Sequence, residues 1–394
     1  MVSKFGFVKE EIKGLKSNSL YRTLKTVSTS KASTSRAVTA FVDGKKAINL
    51  CSNDYLGLSR NSEVVKKTIS ALQQVSQCSS RLIAGNSPKF EELEKQLADH
   101  RGTESALVYP SGYMANLGVI AAIADSNCTI FSDELNHSSI IDGCRISNAV
   151  VRVFRHNDTD HLKKLIDKSS GKKAIVTEGV FSMDGDISNL KQICDIGKEY
   201  NAITIIDDAH GDFIFGSSQA FSGVPSYLRV NDLVDIHTSS LSKALGCFGG
   251  YVATTKAVKE FLINKSRHFI YTSALPEHLC VSALTALPIA TKGKLQHRLF
   301  ENIEFFRARL KKIGFMIGQS RSQIIPILIG EEKSAVNISN ELLMKGIFAQ
   351  AVRYPTVKKG SARLRICLSS LHRNTQLIYT LDCLEKLGKM MNIL

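Results

Sequence analysis

Short apolar segments alternate with amphipathic stretches from about residue 46 to about residue 280, and this alternation constrains the fold more than any other feature. The apolar runs have the length of buried strands and lie at 105–109, 129–133, 174–178 and 202–206. Amphipathic stretches such as 90–97 have the periodicity of a helix that packs one face on a sheet. Strands that alternate with helices predict an α/β fold with a doubly wound, mostly parallel sheet.

A polar cluster follows each of these apolar runs. The clusters contain Ser111 and Gly112 after the first run, His137 after the second, Ser182 after the third, and Asp207, Asp208 and His210 after the fourth. In open α/β sheets, ligands bind beyond the carboxyl ends of the strands. We therefore expect the clusters to converge on one crevice.

Lys243 follows the apolar stretch Leu233–Ile236 and stands among small hydroxyl residues, including Ser240 and Ser242. A lysine amine at a strand end can form a Schiff base while the hydroxyls bind a phosphate. Taken alone, such a motif is more often a solvated lysine that begins a helix. A carboxylate such as Asp207 beside a pyridine nitrogen would keep that nitrogen protonated. Together these residues predict pyridoxal phosphate (PLP) as the cofactor.

Five segments resemble the α-oxoamine synthases, which are fold-type-I PLP enzymes that join an amino acid to an acyl thioester with loss of carbon dioxide. The segments are Ser52–Leu58, Thr177–Asp186, Asp207–Gly211, the stretch around Lys243, and Pro355–Val357 followed by Arg363–Arg365. The resemblance runs from about Leu20 to about Leu384. It implies an aminotransferase-like transferase fold with a mostly parallel seven-stranded sheet in a large domain and a smaller α+β C-terminal domain.

The expected domains are an N-terminal helical arm at 1–45, a large PLP-binding domain at 46–280 and a small C-terminal domain at 281–394. The arm includes a polar connector at Ser28–Ser35. In the small domain, apolar residues recur every three to four positions from Leu295 to Ile313 and predict a long helix. A strand near 323–329, a helix through 342–344, a strand at 364–368 and a closing helix are expected after it.

The resemblance also implies roles for the catalytic residues. Lys243 binds the cofactor and then removes the substrate α-proton, and Asp207, in preference to Asp208, pairs with the pyridinium nitrogen. His210 approaches the phenolic oxygen of the ring, and His137 stacks on the ring. Without that resemblance, an Asp-Asp-x-His segment is more often a helix cap or a metal fragment. A histidine at a strand end is more often a hydrogen-bonded loop residue.

Further residues are expected to bind the phosphate and the ring. Ser111, Gly112 and Tyr113 open a helix N-terminus suited to phosphate, although an ordinary serine cap has the same sequence. Ser182 and Ser240 add hydroxyls near the ring and the phosphate. Thr272 and Ser273 match residues of the family that bind the phosphate of the neighbouring subunit. That match implies a homodimer with its active site at the interface.

Arg353, Asn53 and Arg22 match residues that bind the substrates in the family. Arg353 is expected to bind the amino-acid carboxylate through its planar, bidentate guanidinium, with Asn53 assisting. Arg22 matches an arginine that faces the acyl substrate. All three have structural alternatives, because Asn53 reads as part of a turn and the two arginines as surface charges.

Two segments depart from the family pattern, and both concern the shape of the acyl pocket. Ser76–Ser80 replaces a stretch that is usually rich in glycine before Arg81. Asp212 and Phe213 replace a small Thr-Gly pair that is frequent after the histidine and glycine of this motif.

Within the family, residues 177–180 and 244–251 look most like members that condense L-alanine with a pimeloyl thioester in biotin biosynthesis. Members that use glycine with an acetyl thioester are the nearest alternative, followed by those that use serine with a palmitoyl thioester and those that make 5-aminolevulinate. A non-catalytic partner subunit is the alternative from another class. The presence of Lys243, Asp207 and His210 argues against it.

Composition sets further bounds on a chain of 394 residues. Hydrophobic residues make up 43%, no apolar run has the length of a membrane span, and an apolar signal core is missing from the N-terminal stretch, so we expect a cytoplasmic protein without membrane attachment. Nine scattered cysteines without a C-x-x-C pair indicate no metal site.

The net charge of +15 allows an acidic partner. No nucleic-acid-binding module is recognisable. Two interpretations of the basic residues therefore remain. They form solvated surfaces, or they attract an acyl-CoA or an acyl carrier protein.

Overall fold

The computed structural model describes residues 4–28, 38–216 and 220–394. The chain divides into two compact units. One unit contains residues 1–52, 183–185 and 298–394, and the other contains 53–182 and 186–297. The domain boundaries predicted near residues 45 and 280 remain predictions, and residues 29–35 of the predicted polar connector lie outside the described residues. None of the helices in the described ranges combines the length and the apolar character that crossing a bilayer requires.

The strands of the described residues are β1 Val27–Ser28, β2 Thr39–Val42, β3 Lys45–Asn49, β4 Ser105–Tyr109, β5 Cys128–Asp133, β6 Val150–Phe154, β7 Lys172–Glu178, β8 Ile203–Asp207, β9 Ile236–Ser240, β10 Gly250–Thr254, β11 Ile324–Gly330, β12 Ile347–Phe348, β13 Gln350–Val352 and β14 Ala362–Cys367.

The α-helices of the same residues are α1 Gly6–Ser17, α2 Ser62–Ser70, α3 Pro88–Arg101, α4 Gly112–Ile123, α5 Ser138–Ile146, α6 Thr159–Ile166, α7 Leu190–Glu199, α8 Gly223–Tyr227, α9 Lys256–Lys265, α10 Arg267–Ile270, α11 Glu277–Ala290, α12 Lys294–Ile313, α13 Glu332–Met344 and α14 Asn374–Met390. The ends of α3 follow from its sequence, because Pro88 suits the first helical position and Gly102 adopts a left-handed φ of 67° that ends the helix.

A seven-stranded sheet forms the centre of the larger unit, in the order β4-β10-β9-β8-β7-β5-β6. Neighbouring strands from β9 to β6 are parallel, and only β10 runs antiparallel to its two neighbours, β4 and β9. The mostly parallel seven-stranded sheet predicted from the sequence is therefore confirmed. Because β4, β5, β7, β8 and β9 run in one direction, their carboxyl ends lie along the same edge.

Helices cover both faces of this sheet, and the side chains of its central strands alternate between them. Ile130 and Val176 pack in a core with residues of α4 and α5, whereas Phe131 and Ile175 pack with residues of α6 and α7. All four side chains are buried. This period-two alternation explains the continuous apolar runs of β5 and β7, since a strand covered on both faces has no side that requires polar residues.

The strand that precedes Lys243 lies further along the chain than the apolar stretch Leu233–Ile236 indicated. β9 begins at Ile236 and continues through His237, Thr238, Ser239 and Ser240, while residues 231–233 form a short 3₁₀ turn. The polar strand residues are buried, and several find partners inside the unit: Thr238 donates to Asn116 and Ser239 to Asp212. Their hydrogen bonds come from distant segments, which explains why hydropathy alone misplaced the strand.

The smaller unit contains two small sheets. One has the order β1-β2-β3-β12, and the other is the antiparallel sheet β11-β14-β13. The predicted long helix is α12, and its recurring apolar residues Leu299, Ile303, Phe306 and Leu310 are fully buried. The predicted strands and helices of this region correspond to β11, α13, β14 and α14.

A half-buried histidine, His156, links three loops at the carboxyl edge of the larger sheet. His156 follows β6, and its Nδ1 and Nε2 lie 3.0 Å from Asp133 Oδ1 and 2.8 Å from Asp186 Oδ2. The His156 ring also contacts the ring of Phe181 edge-on. Burial alone would lower the pKa of His156, but hydrogen bonds to the two carboxylates outweigh it and raise the pKa to about 10.

We predict that His156 stabilises the fold through its positive charge. Because its pKa is raised above the unfolded value of about 6.5, its stabilising effect is complete below that pH and is lost as the pH rises through about 10. His156→Gln should therefore lower the melting temperature most at pH 6 and least at pH 10. At pH 6 the free energy of unfolding should fall by roughly 2–4 kcal/mol. Thermal melts of both proteins across this range would test it, and a difference independent of pH would contradict the assignment.

Candidate active site

Asp207 lies at the carboxyl end of β8 and is held by two donors. Asn116 Nδ2 donates to Asp207 Oδ2 at 2.6 Å, and the backbone N–H of Ala209 donates to Oδ1 at 3.0 Å. Asn116 is itself fixed, because its Oδ1 accepts a hydrogen bond from Thr238 Oγ1 at 2.6 Å. The adjacent Asp208 is engaged elsewhere, 2.9 Å from the buried guanidinium of Arg101.

His137 precedes α5 and caps its first turn. Its Nδ1 accepts a hydrogen bond from the backbone N–H of Ser139 at 3.2 Å. Burial lowers the pKa of His137, while the nearby charges of Asp207 and Lys243 act on it in opposite directions. A neutral imidazole is therefore expected at physiological pH, and such a ring can stack on another aromatic ring. The ring of Tyr113 meets it edge-on, with 6.1 Å between the centroids.

The start of α4 lies directly against the end of β9. Ser111 caps the helix, since its Oγ accepts from Met114 N at 3.2 Å. A Cβ added at Gly112 would lie 3.0 Å from Ser240 Cβ, and one added at Gly250 would lie 2.3 Å from Gly112 N. Glycine at both positions permits this close approach. It places the hydroxyl of Ser240 beside a helix N-terminus, where the first backbone N–H groups lack intrahelical partners.

Lys243 lies in the turn after β9, with a half-buried side chain. The turn is closed by a hydrogen bond from Gly246 N to Lys243 O at 3.0 Å. Ser240 Oγ lies 2.8 Å from Ser242 Oγ and accepts from Ser242 N at 3.3 Å, so the two hydroxyls are paired within the same turn. The lysine, the hydroxyl pair and the start of α4 therefore belong to one edge of the sheet.

His210 is linked to the Ser52–Leu58 segment. Its Nδ1 lies 2.7 Å from the hydroxyl of the buried Tyr55, and that hydroxyl donates to Asn53 Oδ1 at 3.0 Å. Asn53 is thus connected through Tyr55 to His210, one of the predicted cofactor residues. The sequence singled out Asn53 and His210 but did not identify Tyr55 as the residue between them.

Glu178 lies beside Asp207 at the ends of neighbouring parallel strands, where the two residues are paired in register. Its Oε2 accepts from the backbone of Ser182 at 3.3 Å, and the backbone of His137 also donates to this carboxyl. Burial, and then the charge of Asp207, raise the pKa of Glu178 well above its usual value. Glu178 therefore bridges two segments that carry predicted cofactor residues.

Thr272 and Ser273 line a small cavity together with Arg81 and Phe269. The adjoining Ala274 N donates to the carbonyl of Ser79 at 2.9 Å. Ser76–Ser80, the stretch that departs from the family pattern, is therefore hydrogen-bonded through Ser79 to the segment that contains Thr272 and Ser273.

Arg22 and Arg353 line one cavity of about 620 Å³ in the smaller unit. Arg22 Nη2 donates to Thr356 Oγ1 at 3.0 Å, and Arg353 Nη2 donates to the carbonyl of Tyr21 at 2.6 Å. Arg353 is largely buried, and its Nε has no hydrogen-bond partner among the described residues. Burial, and then the charge of Arg22, lower the pKa of Arg353. A buried cation with an unused donor is suited to bind an anion.

Several residues at the site were not identified from the sequence. Asn116 fixes Asp207, Tyr55 contacts His210, and Glu178 bridges Ser182 and His137, but none was singled out for these roles. Asn116 left one signal, because it is an amide within the otherwise mostly apolar helix α4. Tyr55 and Glu178 lie inside the motifs that carry the family resemblance, yet the motifs do not disclose their partners.

The residues of the larger unit fit PLP. The helix start at Ser111 and the hydroxyl of Ser240 suit a phosphate, and Asp207, held by Asn116, suits a protonated ring nitrogen. Gly112 keeps the phosphate side open, since a side chain there would crowd Ser240. The buried Glu178 Oε1, which has no hydrogen-bond partner among the described residues, marks a further polar position at the same edge.

Comparison with known proteins agrees with this chemistry. The sequence profile of the aminotransferase class I and II family matches residues 45–382. The chain is 39% identical to 8-amino-7-oxononanoate synthase of Thermoanaerobacter pseudethanolicus, over 98% of each chain. It is 37% identical to the enzyme of the same name from Petrotoga mobilis, again over 98% of each.

Solved structures have the same fold. A serine palmitoyltransferase variant from S. paucimobilis, with bound PLP–myriocin aldimine, superimposes with a TM-score of 0.93 at 27% identity and covers 100% of both chains. The 8-amino-7-oxononanoate synthase from Francisella tularensis superimposes with a TM-score of 0.75 at 29% identity, over 87% of this chain and 98% of that one.

Proposed function

The chain belongs to the aminotransferase class I and II family, and we propose that it is a PLP-dependent acyltransferase of biotin biosynthesis. The reaction is the condensation of L-alanine with a pimeloyl thioester, with loss of carbon dioxide, to give 8-amino-7-oxononanoate. The names of the relatives at 36–39% identity over most of the chain support this pair of substrates.

One observation carries the chemical part of the proposal. Asn116 Nδ2 donates to Asp207 Oδ2 and to Ser139 Oγ, and Ser139 Oγ lies 2.8 Å from His137 Nδ1, so Asp207 and His137 share one hydrogen-bonded group in the unit that also contains Lys243. A lysine, a carboxylate and a flat aromatic ring are the groups needed to attach, polarise and cover a pyridine aldehyde. The start of α4 beside Ser240 adds a position for its phosphate.

When bound, PLP supplies an electron-withdrawing ring that stabilises negative charge on the α-carbon of the amino acid. With PLP bound, Lys243 Nζ would hold the cofactor and, when free, would accept the α-proton of the amino acid. Asp207, oriented by Asn116, would hold a proton at the ring nitrogen. His137 would lie against one face of the ring, and His210, held by Tyr55, would lie towards the phenolic oxygen.

The substrates are bound by arginines of the smaller unit. We assign the carboxylate of alanine to Arg353, whose Nε is buried and has no hydrogen-bond partner among the described residues. We assign the acyl substrate to Arg22, which lines the same cavity. Asn53 assists with the amino acid. The carrier of the acyl group is CoA or an acyl carrier protein, and the basic net charge of +15 favours either, because both are negatively charged.

We also propose that the protein is a homodimer in which Thr272 and Ser273 of each chain complete the phosphate site of the other. Large apolar side chains are exposed in one stretch, at Ile69, Leu72, Val75, Leu82 and Ile83, and the exposed fraction of Ile83 is 82%. Apolar side chains clustered on a surface are typical of an interface. This stretch is hydrogen-bonded through Ser79 to the segment that contains Thr272 and Ser273.

The proposed reaction is tested by a panel that crosses alanine, glycine and serine with acetyl, palmitoyl and pimeloyl thioesters of CoA and of an acyl carrier protein. Mass analysis should find the fastest product formation with alanine and pimeloyl thioester. Lys243→Ala should abolish the product while circular dichroism remains that of the wild type, and Lys198→Ala on an exposed face should change neither. Faster turnover of glycine with acetyl thioester would assign a different reaction to the same fold.

The substrate assignments of the two arginines predict opposite kinetic effects. Arg353→Ala should raise the KM for alanine about 10- to 100-fold, the amount expected for a lost charge-assisted hydrogen bond, and should leave the KM for the thioester nearly unchanged. Arg22→Ala should have the reverse pattern. Each variant is the control for the other, since both residues line one cavity. Equal effects on both substrates would refute the assignment.

The homodimer predicts that the double variant Val75→Lys, Ile83→Lys halves the mass measured by light scattering. PLP affinity should fall with it, because the partner's hydroxyls no longer reach the phosphate. Met316→Lys, an exposed apolar position in the other unit, should retain both the mass and the affinity. A wild-type monomer that binds PLP tightly would contradict the shared site.

A further inference from the structure

Asp212 and Phe213, which replace the Thr-Gly pair frequent in the family, both contact His100. Asp212 Oδ1 lies 2.9 Å from His100 Nε2, and the Phe213 ring stacks on the His100 ring with 4.1 Å between the centroids and 8° between the planes. Phe213 adopts a left-handed φ of 61°, which is unfavourable for a residue with a side chain. Such a conformation persists only where contacts compensate for it, and the buried stack on His100 is such a contact.

Asp212 also connects its turn to two strands of the sheet. Its Oδ2 accepts from Ser239 Oγ of β9 at 2.7 Å and from Tyr251 Oη of β10 at 2.5 Å. Its Oδ1 lies 3.2 Å from Arg101 Nη2. The carboxylate is buried, which alone would raise its pKa, but the charge of Arg101 and then the hydrogen bond to His100 lower the pKa of Asp212. Asp212 therefore joins the turn to β9, β10 and α3 at once.

Arg101 holds the other end of the same turn. Its Nη1 donates to Asp208 Oδ2 at 2.9 Å and to the carbonyl of Ser222 at 2.7 Å. The Asp208 carboxylate packs closely against two glycines. A Cβ at Gly211 would lie 2.1 Å from one of its oxygens, and a Cβ at Gly223 would lie 1.7 Å from the other. The Arg101 guanidinium thus contacts both Asp208 and Asp212, the carboxylates at the two ends of the turn. His210 lies between them in the chain.

We propose that Asp212 is a positioning residue that, with His100, Arg101 and Phe213, fixes the turn of Asp207 and His210 against the strand that leads to Lys243. This inference rests on the proposed function, in which those residues hold PLP. Ser239 is the neighbour of Ser240 and lies four residues before Lys243. The Asp212–Ser239 hydrogen bond therefore connects the groups on the ring to the residues that hold the phosphate and the aldehyde. A binding site preorganised in this way loses less entropy when the ligand binds.

The test compares Asp212→Asn and Ser239→Ala with a matched control. The control is Thr204→Val, which removes buried hydrogen bonds from Thr204 Oγ1 to Asp235 and Leu233. Thr204 lies near the start of β8, at the opposite end of the strand from Asp207. Two quantities are measured for each variant: the Kd for PLP, by titration of the cofactor-free protein, and the visible circular dichroism per bound cofactor. The second quantity reports how firmly the ring is held in an asymmetric site. Thermal melts report stability separately.

We expect Asp212→Asn to raise the Kd about tenfold or more and Ser239→Ala to raise it about threefold, in line with the loss of a charged or a single hydrogen bond. Both variants should lower the visible circular dichroism. Thr204→Val should lower the melting temperature and leave the Kd and the dichroism unchanged. Ser239→Ala decides the matter if Asp212→Asn does not fold.

Two outcomes separate this inference from the proposed function. If Asp212→Asn and Ser239→Ala lower the melting temperature but bind PLP like the wild type, with unchanged dichroism, Asp212 has a structural role only and the inference is overturned. If the wild type itself binds no PLP, the proposed function fails as well.

Discussion

The register of the parallel strands β7, β8 and β9 is the constraint on which the candidate site depends. Main-chain hydrogen bonds pair Glu178 with Asp207, and Asp207 with Thr238, so three polar residues lie side by side at about 4.8 Å spacing. A slip of β8 by one residue would turn every side chain to the opposite face. It would exchange the directions of Asp207 and Asp208 and bring the wrong carboxylate towards Asn116.

The same register places the carboxyl groups of Glu178 and Asp207 next to each other, and their surroundings differ. Asp207 receives hydrogen bonds from Asn116 and from the backbone N–H of Ala209. Burial, and then the charge of Asp207, raise the pKa of Glu178 well above its usual value. A carboxylate beside the ring nitrogen is what a protonated pyridine requires. The lowered pKa of His137 completes this arrangement, because a neutral ring adds no competing positive charge.

The sequence predicted the parts of the site that depend on local pattern. The strands, the polar residues at their ends and the long helix α12 follow from periodicity over a few residues. The residues that orient them do not, because contacts such as Asn116 with Asp207 and Tyr55 with His210 join positions 91 and 155 apart in the chain. The limits of β9 were misjudged for the same reason. Its polar residues are satisfied by Asn116 and Asp212, which hydropathy along one segment does not reveal.

The two adjacent carboxylates after β8 show how one strand end contributes both to the site and to the scaffold. Asp207 meets Asn116, whereas Asp208 meets Arg101 on the other side, as expected where successive side chains alternate. A buried ion pair is weak evidence for added stability, because desolvation offsets much of the attraction. Its surroundings are nevertheless tight, since a Cβ at Gly211 or Gly223 would collide with the Asp208 carboxylate. The Arg101–Asp208 pair therefore contributes mainly to the uniqueness of the turn, and a unique turn gives Asp207 a single orientation.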